Sequence, residues 1–174
     1  LLNGEDPIVS QWTDAGQGEK LVYNGPPDAA CGVWLEGERV RLRRRGAAAE
    51  FSLRGLRLPG RHNRFNAACA GAMAWRMGAG CAALERAVAA FEGLPDRLQL
   101  VHESCGVRFY NDSIATTPES AVAALEALTE PIVLVAGGSS KNHSFDEMGK
   151  VVAARCKAVV LVGDTAPQLA RAIL

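Results

Sequence analysis

From Leu98 onward, short β-branched runs alternate with stretches whose apolar residues recur at helical spacing. The pattern predicts strands near Leu98–His102, Val107–Tyr110, Ile132–Ala136 and Ala158–Val162, with helices near Pro118–Leu128 and Phe145–Arg155. Strands alternating with helices imply the α/β class, a parallel sheet joined by right-handed crossovers. The first of these helices has a well-marked start. Thr117 can cap its free N–H groups, Pro118 fills the first helical position where no donor is needed, and Val122, Leu125 and Leu128 supply one buried face. Three strands run into polar or glycine-rich turns, at Asn111-Asp112-Ser113, Gly137 to Asn142, and Gly163-Asp164-Thr165. Open α/β sheets place ligand sites at the carboxyl ends of their strands, so the three turns are expected on one edge of the sheet.

The first half has a different rhythm. Leu1-Leu2-Asn3 followed by Asp6-Pro7 reads as a strand end running into a helix, with Asp6 as cap and Pro7 at the first position. Lys20 to Asn24 is a further short run, and between Gly32 and Leu42 two alternating runs flank Glu36-Gly37-Glu38, the pattern of a hairpin. After Phe51-Ser52-Leu53 and the loop Leu58-Pro59-Gly60-Arg61, helices are predicted over about Asn63 to Met77 and Cys81 to Phe91. Gly93-Leu94-Pro95-Asp96-Arg97 breaks the second of them, and a domain boundary there divides the chain into residues 1–95 and 96–174.

Composition narrows the function classes. The 174 residues suffice for one domain or parts of two, and at 48% hydrophobic they suffice for a core. Nineteen basic and nineteen acidic residues cancel, which argues against a dedicated nucleic-acid or anionic-membrane surface. Arg39, Arg41, Arg43, Arg44 and Arg45 cluster in a strand-like alternation and read as a solvated face. The five cysteines, Cys31, Cys69, Cys81, Cys105 and Cys156, are odd in number and show no C-x-x-C spacing, as expected of reduced thiols in a cytoplasmic protein without a zinc site. No apolar run approaches ~20 residues and no basic-then-apolar leader opens the chain, so neither a membrane span nor a signal peptide is expected. Leu1 is not a methionine, so the natural start is expected upstream.

Within the turns, Asp112 could orient a ribose, a metal or an amine, with Asn111, Ser113 and Thr116 beside it; the same residues equally suit plain turn hydrogen bonds. Gly137 and Gly138 permit close backbone approach, and Lys141 is either a cation for a carboxylate or phosphate or a solvated lysine at a glycine turn. No Walker A spacing occurs anywhere in the chain. His143 lacks a fixed partner and reads as incidental, and His102 carries no assignment. Asn63 and Asn66, one turn apart at a helix start, could read a base edge through paired donors and acceptors, or act as caps.

Taken in order, Asn3-Gly4-Glu5-Asp6-Pro7, Gly60-Arg61-His62-Asn63-Arg64-Phe65-Asn66-Ala67-Ala68, Phe91 to Arg97, Asn111 to Thr116, and Gly137-Gly138-Ser139-Ser140-Lys141 resemble the Mur ligases over nearly the whole chain. Within that family the resemblance is greatest to the branch that adds D-glutamate to UDP-N-acetylmuramoyl-L-alanine. It implies that residues 1–95 are the latter part of a central ATPase domain. Residues 96–174 are then the start of a Rossmann-like, mostly parallel-sheet carboxy-terminal domain that receives the amino acid. The implied activity is ATP-dependent ligation in peptidoglycan precursor synthesis, through an acyl phosphate that the amine attacks, with metal ions (Mg2+) and fixed cations meeting the transition-state charge. By the same resemblance Asn63, Asn66, Arg97 and Asp112 contact ATP, the two asparagines on the adenine side. Lys141, Thr116 and Ser113 then belong to the amino-acid site, Lys141 binding the carboxylate. The implied partners are small molecules, namely a UDP-muramoyl peptide, glutamate and ATP, with no obligate protein partner.

Two positions depart from the family pattern. Asp96 stands where a histidine usually precedes the arginine, and Ile114 stands where D-glutamate enzymes commonly carry a lysine. Losing that cation removes a charge-assisted hydrogen bond, roughly 1.5–3 kcal/mol of binding. Ligases of similar Asn-Asp-Ser-Ile sequence that add L-glutamate keep that enantiomer open. The resemblance also places the phosphate loop, the metal-binding residues and the UDP-binding domain before Leu1, and the end of the last domain after Leu174. The 174 residues alone are therefore expected not to ligate. The alternatives are another superfamily ligase, such as a different Mur ligase or a folylpolyglutamate synthase, and a non-catalytic module whose Gly137 to Lys141 loop holds an anion.

Overall fold

Alternation of apolar and polar residues becomes a sheet in the first of two units. The computed structural model describes residues 1–139 and 143–174 and divides into Leu1–Glu92 and Gly93–Leu174. In the first unit β1 (Leu2–Asn3), β2 (Val22–Tyr23), β3 (Gly32–Glu36), β4 (Arg39–Arg44) and β5 (Ala47–Ser52) pair in that order. The β1, β2 and β3 pairings are parallel, and β3-β4-β5 is an antiparallel meander. The expected hairpin pairs Glu36 with Arg39, and Gly37 takes the φ of 59° that such a two-residue turn requires. Val40, Leu42, Phe51 and Leu53 point inward against Ala68 and Ala72 of α1 (Arg61–Arg76) and Leu84 of α2 (Cys81–Ala90). The alternate residues point out. Arg39 and Arg41 pair with Glu50 and Glu36 at 2.7 Å, while Arg43 and Arg44 lie over the rings of Trp34 and Trp75. Four of the five clustered arginines thus have partners at the surface.

One expectation fails in this unit. Asp6 does cap, accepting the Ile8 and Val9 N–H groups at 2.8 Å, but the element it opens is a 3-10 helix over Val9–Asp14. None of its residues is buried, so it has no apolar face to extend it, and Gly16 and Gly18 come immediately after.

The second unit contains β6 (Gln99–Ser104), β7 (Val107–Asn111), α3 (Pro118–Ala127), β8 (Ile132–Gly137), α4 (Asp146–Arg155), β9 (Cys156–Val162) and α5 (Ala166–Ile173). β8 and β9 are parallel with α4 between them in sequence, as α/β alternation predicts. β6 and β7 form a separate antiparallel ribbon, so the four strands do not share one sheet. The cause is the two-residue link Cys105-Gly106. Its φ values of 50° and 76° are those of a mirror-image hairpin turn, and so short a link cannot make a parallel crossover. Leu125 of α3, Met148 and Val152 of α4 and Leu169 of α5 bury Ile132 in one cluster. No helix among the described residues is long and apolar enough to cross a membrane.

The start of α3 follows the sequence expectation. The Thr117 hydroxyl accepts the Ser120 N–H at 3.3 Å, and Pro118 leads the helix. The Glu119 carboxyl is held below its usual value, chiefly by its own backbone N–H and then by the Thr117 hydroxyl. Thr117→Ala is expected to cost about 1 kcal/mol and to move the Glu119 titration up toward 4.5. A depressed carboxyl stabilises the fold above its unfolded value and loses that contribution as the pH falls through its folded value. The difference between wild type and Thr117→Ala should therefore narrow in acid. Urea denaturation at neutral and acidic pH, with an NMR titration of Glu119, checks both parts.

Candidate functional site

The turn between β7 and α3 is drawn back onto the segment that leads into β6. Asn111 Nδ2 donates to Asp96 Oδ1 at 2.7 Å, and Asn111 Oδ1 accepts the Ser113 N–H at 3.1 Å. Asp112 Oδ1 accepts the Leu98 N–H at 2.8 Å, and the Ile114 N–H donates to the Asp96 carbonyl at 3.3 Å. Asp96 and Leu98 sit at φ values of 60° and 42°, in the left-handed region that residues with a Cβ seldom occupy. Between them Arg97 is half-buried, and among the described residues its guanidinium has neither a hydrogen bond nor an ion pair. Asp112 serves the turn through Oδ1, and among the described residues its other oxygen has no hydrogen bond. Ser113 and Thr116 are exposed, as is Ile114 at 44%.

The carboxyl ends of β8 and β9 meet through glycine. Gly138 N–H donates to the Val162 carbonyl at 3.2 Å, and the Gly138 carbonyl accepts both the N–H and the hydroxyl of Thr165, at 3.1 and 3.2 Å. Thr165 is buried. Gly163, at φ 73°, approaches so closely that a Cβ would lie 2.9 Å from the Gly138 carbonyl oxygen. Lys141 lies outside the described residues, whereas Ser139 and His143 are exposed. Two of the three predicted turns therefore join directly on one sheet edge. The third belongs to the β6–β7 ribbon, because the Cys105-Gly106 hairpin takes that strand out of the parallel sheet.

In the first unit, Asn63 and Asn66 fall in the opening turns of α1. Asn63 is buried and its Nδ2 donates to the Pro59 carbonyl at 2.7 Å, so it holds the loop ahead of the helix. Asn66 is exposed. Sequence reasoning missed the neighbouring Glu5, whose Oε1 accepts from Asn24 Nδ2 at 2.9 Å and from Arg61 Nη2 at 2.6 Å. Glu5 and Arg61 each stand in a motif, but nothing local links residues so distant in sequence. Among the described residues no three His, Cys, Asp or Glu side chains come together as a metal cage.

Comparison with known proteins gives the chain its relatives. Residues 96–174 match the family described as Mur ligase, glutamate ligase domain. The UDP-N-acetylmuramoylalanine--D-glutamate ligase of Symbiobacterium thermophilum is 36% identical over 176 residues, covering 99% of this chain and 39% of that protein. The protein of the same name from Roseiflexus sp. is 44% identical over 186 residues, with the same shares. The chain thus spans 39% of the length of these curated relatives. A pseudomurein peptide ligase type C from Methanothermus fervidus matches with a TM-score of 0.71 at 14% identity, over 98% of this chain and 43% of that one. The UDP-N-acetylmuramoylalanyl-D-glutamyl-2,6-diaminopimelate--D-alanyl-D-alanyl ligase of Acinetobacter baumannii matches at 0.70 and 17% identity, over 99% and 40%. These two likenesses show the α/β fold; the matched domain and the sequence identity lead to one conclusion: residues 96–174 are a Mur ligase domain, in a chain similar over 99% of its length to Mur ligases.

Proposed function

We propose that the chain is part of an ATP-dependent amide ligase of the MurD type, acting in the cytoplasm on peptidoglycan precursors. Residues 1–95 are then the end of its central ATP-binding domain and residues 96–174 the start of its amino-acid-binding domain. The observation that carries this reading is identity of 36% and 44%, over 99% of the chain, to proteins named UDP-N-acetylmuramoylalanine--D-glutamate ligase. Bound ATP supplies the phosphoryl group that converts the muramoyl carboxylate to an acyl phosphate, from which the amine of glutamate displaces phosphate. Mg2+ is the expected companion of ATP, and among the described residues no three His, Cys, Asp or Glu side chains gather to hold it.

The roles of the side chains follow from what each has free. Asn66, exposed on α1, meets adenine while Asn63 holds the loop before it. The Arg97 guanidinium, without a partner among the described residues, meets phosphate charge through charge-assisted hydrogen bonds. Asp112 offers its second oxygen to a ribose hydroxyl, and Ser113, Thr116 and Lys141 receive the amino acid, Lys141 through the carboxylate.

Ile114 favours a second reading, in which L-glutamate is the substrate, because an exposed apolar side chain stands where the D-glutamate enzymes carry a cation. ATP-dependent product formation by the full-length enzyme, assayed with each enantiomer, separates the two. The expected result is a preference for D-glutamate of at least about tenfold in kcat/KM. The reverse preference would transfer the assignment to L-glutamate, and no product with either would leave a binding module. The 174 residues alone are expected to show no turnover.

A further inference from the structure

Asp96 and Asn111 have no part in the roles above, yet their side chains are joined by a hydrogen bond of 2.7 Å. Asp96 is engaged through its N–H, its carbonyl and its carboxylate. Its N–H donates to Gln99 Oε1 at 3.0 Å, its carbonyl accepts from the Ile114 N–H, and its carboxylate accepts from Asn111. Arg97, the next residue, has a guanidinium without partner among the described residues. Left-handed conformations at Asp96 and Leu98 enclose it, and such strain persists only where the surroundings over-determine it. Asp112 holds the Leu98 side through the Leu98 N–H, and Asn111 holds the Asp96 side. Glycine at either position would relieve the strain, and the chain instead carries residues that hydrogen-bond or bury.

We propose that Asp96, braced by Asn111, is a positioning residue for Arg97: it fixes the backbone ahead of the arginine so that the free guanidinium is already aimed at the phosphates of a nucleoside triphosphate. This rests on the reading of Arg97 as a phosphate contact. A fixed backbone lowers the ordering cost of binding, so the brace acts on nucleotide affinity more than on the chemical step.

The test uses the full-length enzyme, with kcat, the KM for ATP and the thermal midpoint measured for Asp96→Gly, Asp96→Asn, Asn111→Ala, the Asp96→Gly/Asn111→Ala pair and Arg97→Ala. Glycine accepts the φ of 60° without strain, so Asp96→Gly removes the brace while sparing the fold. Asp96→Gly and Asn111→Ala are each expected to raise the KM for ATP about five- to tenfold with kcat within about twofold, and the double variant to be no worse than the stronger single. Asp96→Asn keeps an acceptor for Asn111 and should recover most of the loss. If Asp96→Gly leaves the KM within about twofold while Arg97→Ala raises it tenfold or more, the positioning role is overturned and Arg97 keeps its own. An unchanged KM in Arg97→Ala would remove the reading of Arg97 and the inference with it. A lowered midpoint in Asn111→Ala with the KM unmoved would make the brace merely structural.

Discussion

Gly137→Ala is expected to destabilise the second unit by about 3–5 kcal/mol, the sum of overpacking and a disfavoured backbone conformation. Gly137 lies at φ 144°, and in the β8–β9 register it faces Val162, so a Cβ would run into the Val162 carbonyl. That carbonyl cannot retreat freely, because it accepts the Gly138 N–H. Nor can the opposite loop, since Thr165 and Gly163 close on the Gly138 carbonyl. With domain stabilities of about 5–15 kcal/mol, a loss of this size is a large part of the total. Hydrogen exchange reads it element by element. Amides of β8 and β9 should lose protection, while those of β3, β4 and β5, in the other unit, keep theirs. A loss below about 1 kcal/mol in urea would show that the two strand ends can part without cost.

How much of this was legible in the chain depended on whether the deciding partner was near in sequence. Thr117 and Pro118 predict their helix start because the cap bonds only three residues ahead, to Ser120. Gly37 marks its hairpin for the same reason. The direction of β6 relative to β7 was missed because side-chain alternation is identical in parallel and antiparallel strands, and only the shortness of the Cys105-Gly106 link tells them apart. Asp6 announced a cap but not what it capped, since the helix type depended on an apolar face that never forms. In the candidate site, the motif order carried the family reading, while the bond from Asn111 to Asp96 spans 15 residues and exists because the ribbon's register sets Asn111 opposite Gln99. Asp96 was visible in the sequence as a departure from the family pattern. Its engagement with Asn111 required the fold.

Phe51→Ala is expected to cost the first unit about 3–5 kcal/mol through lost burial and the cavity left behind. Phe51 is 1% exposed, pairs with Val40 across the sheet, and sets its ring against α1 where Gly71 has no side chain. The absence at 71 is as much a part of the contact as the ring at 51. A Cβ there would collide with the ring, so Gly71→Ala in the wild type should cost about 1–3 kcal/mol for overpacking, offset in part by the ~1 kcal/mol of helix propensity that alanine gains. In the Phe51→Ala background the obstacle is gone. The added methyl then enters vacated space and the helix propensity acts unopposed, so the same Gly71→Ala change should stabilise by about 1 kcal/mol. The sign of the substitution at 71 therefore depends on the residue at 51, and a double-mutant cycle by urea denaturation measures it. Additivity within about 0.5 kcal/mol would mean that α1 and β5 yield to each other at this contact, and that the glycine is not kept there by the ring.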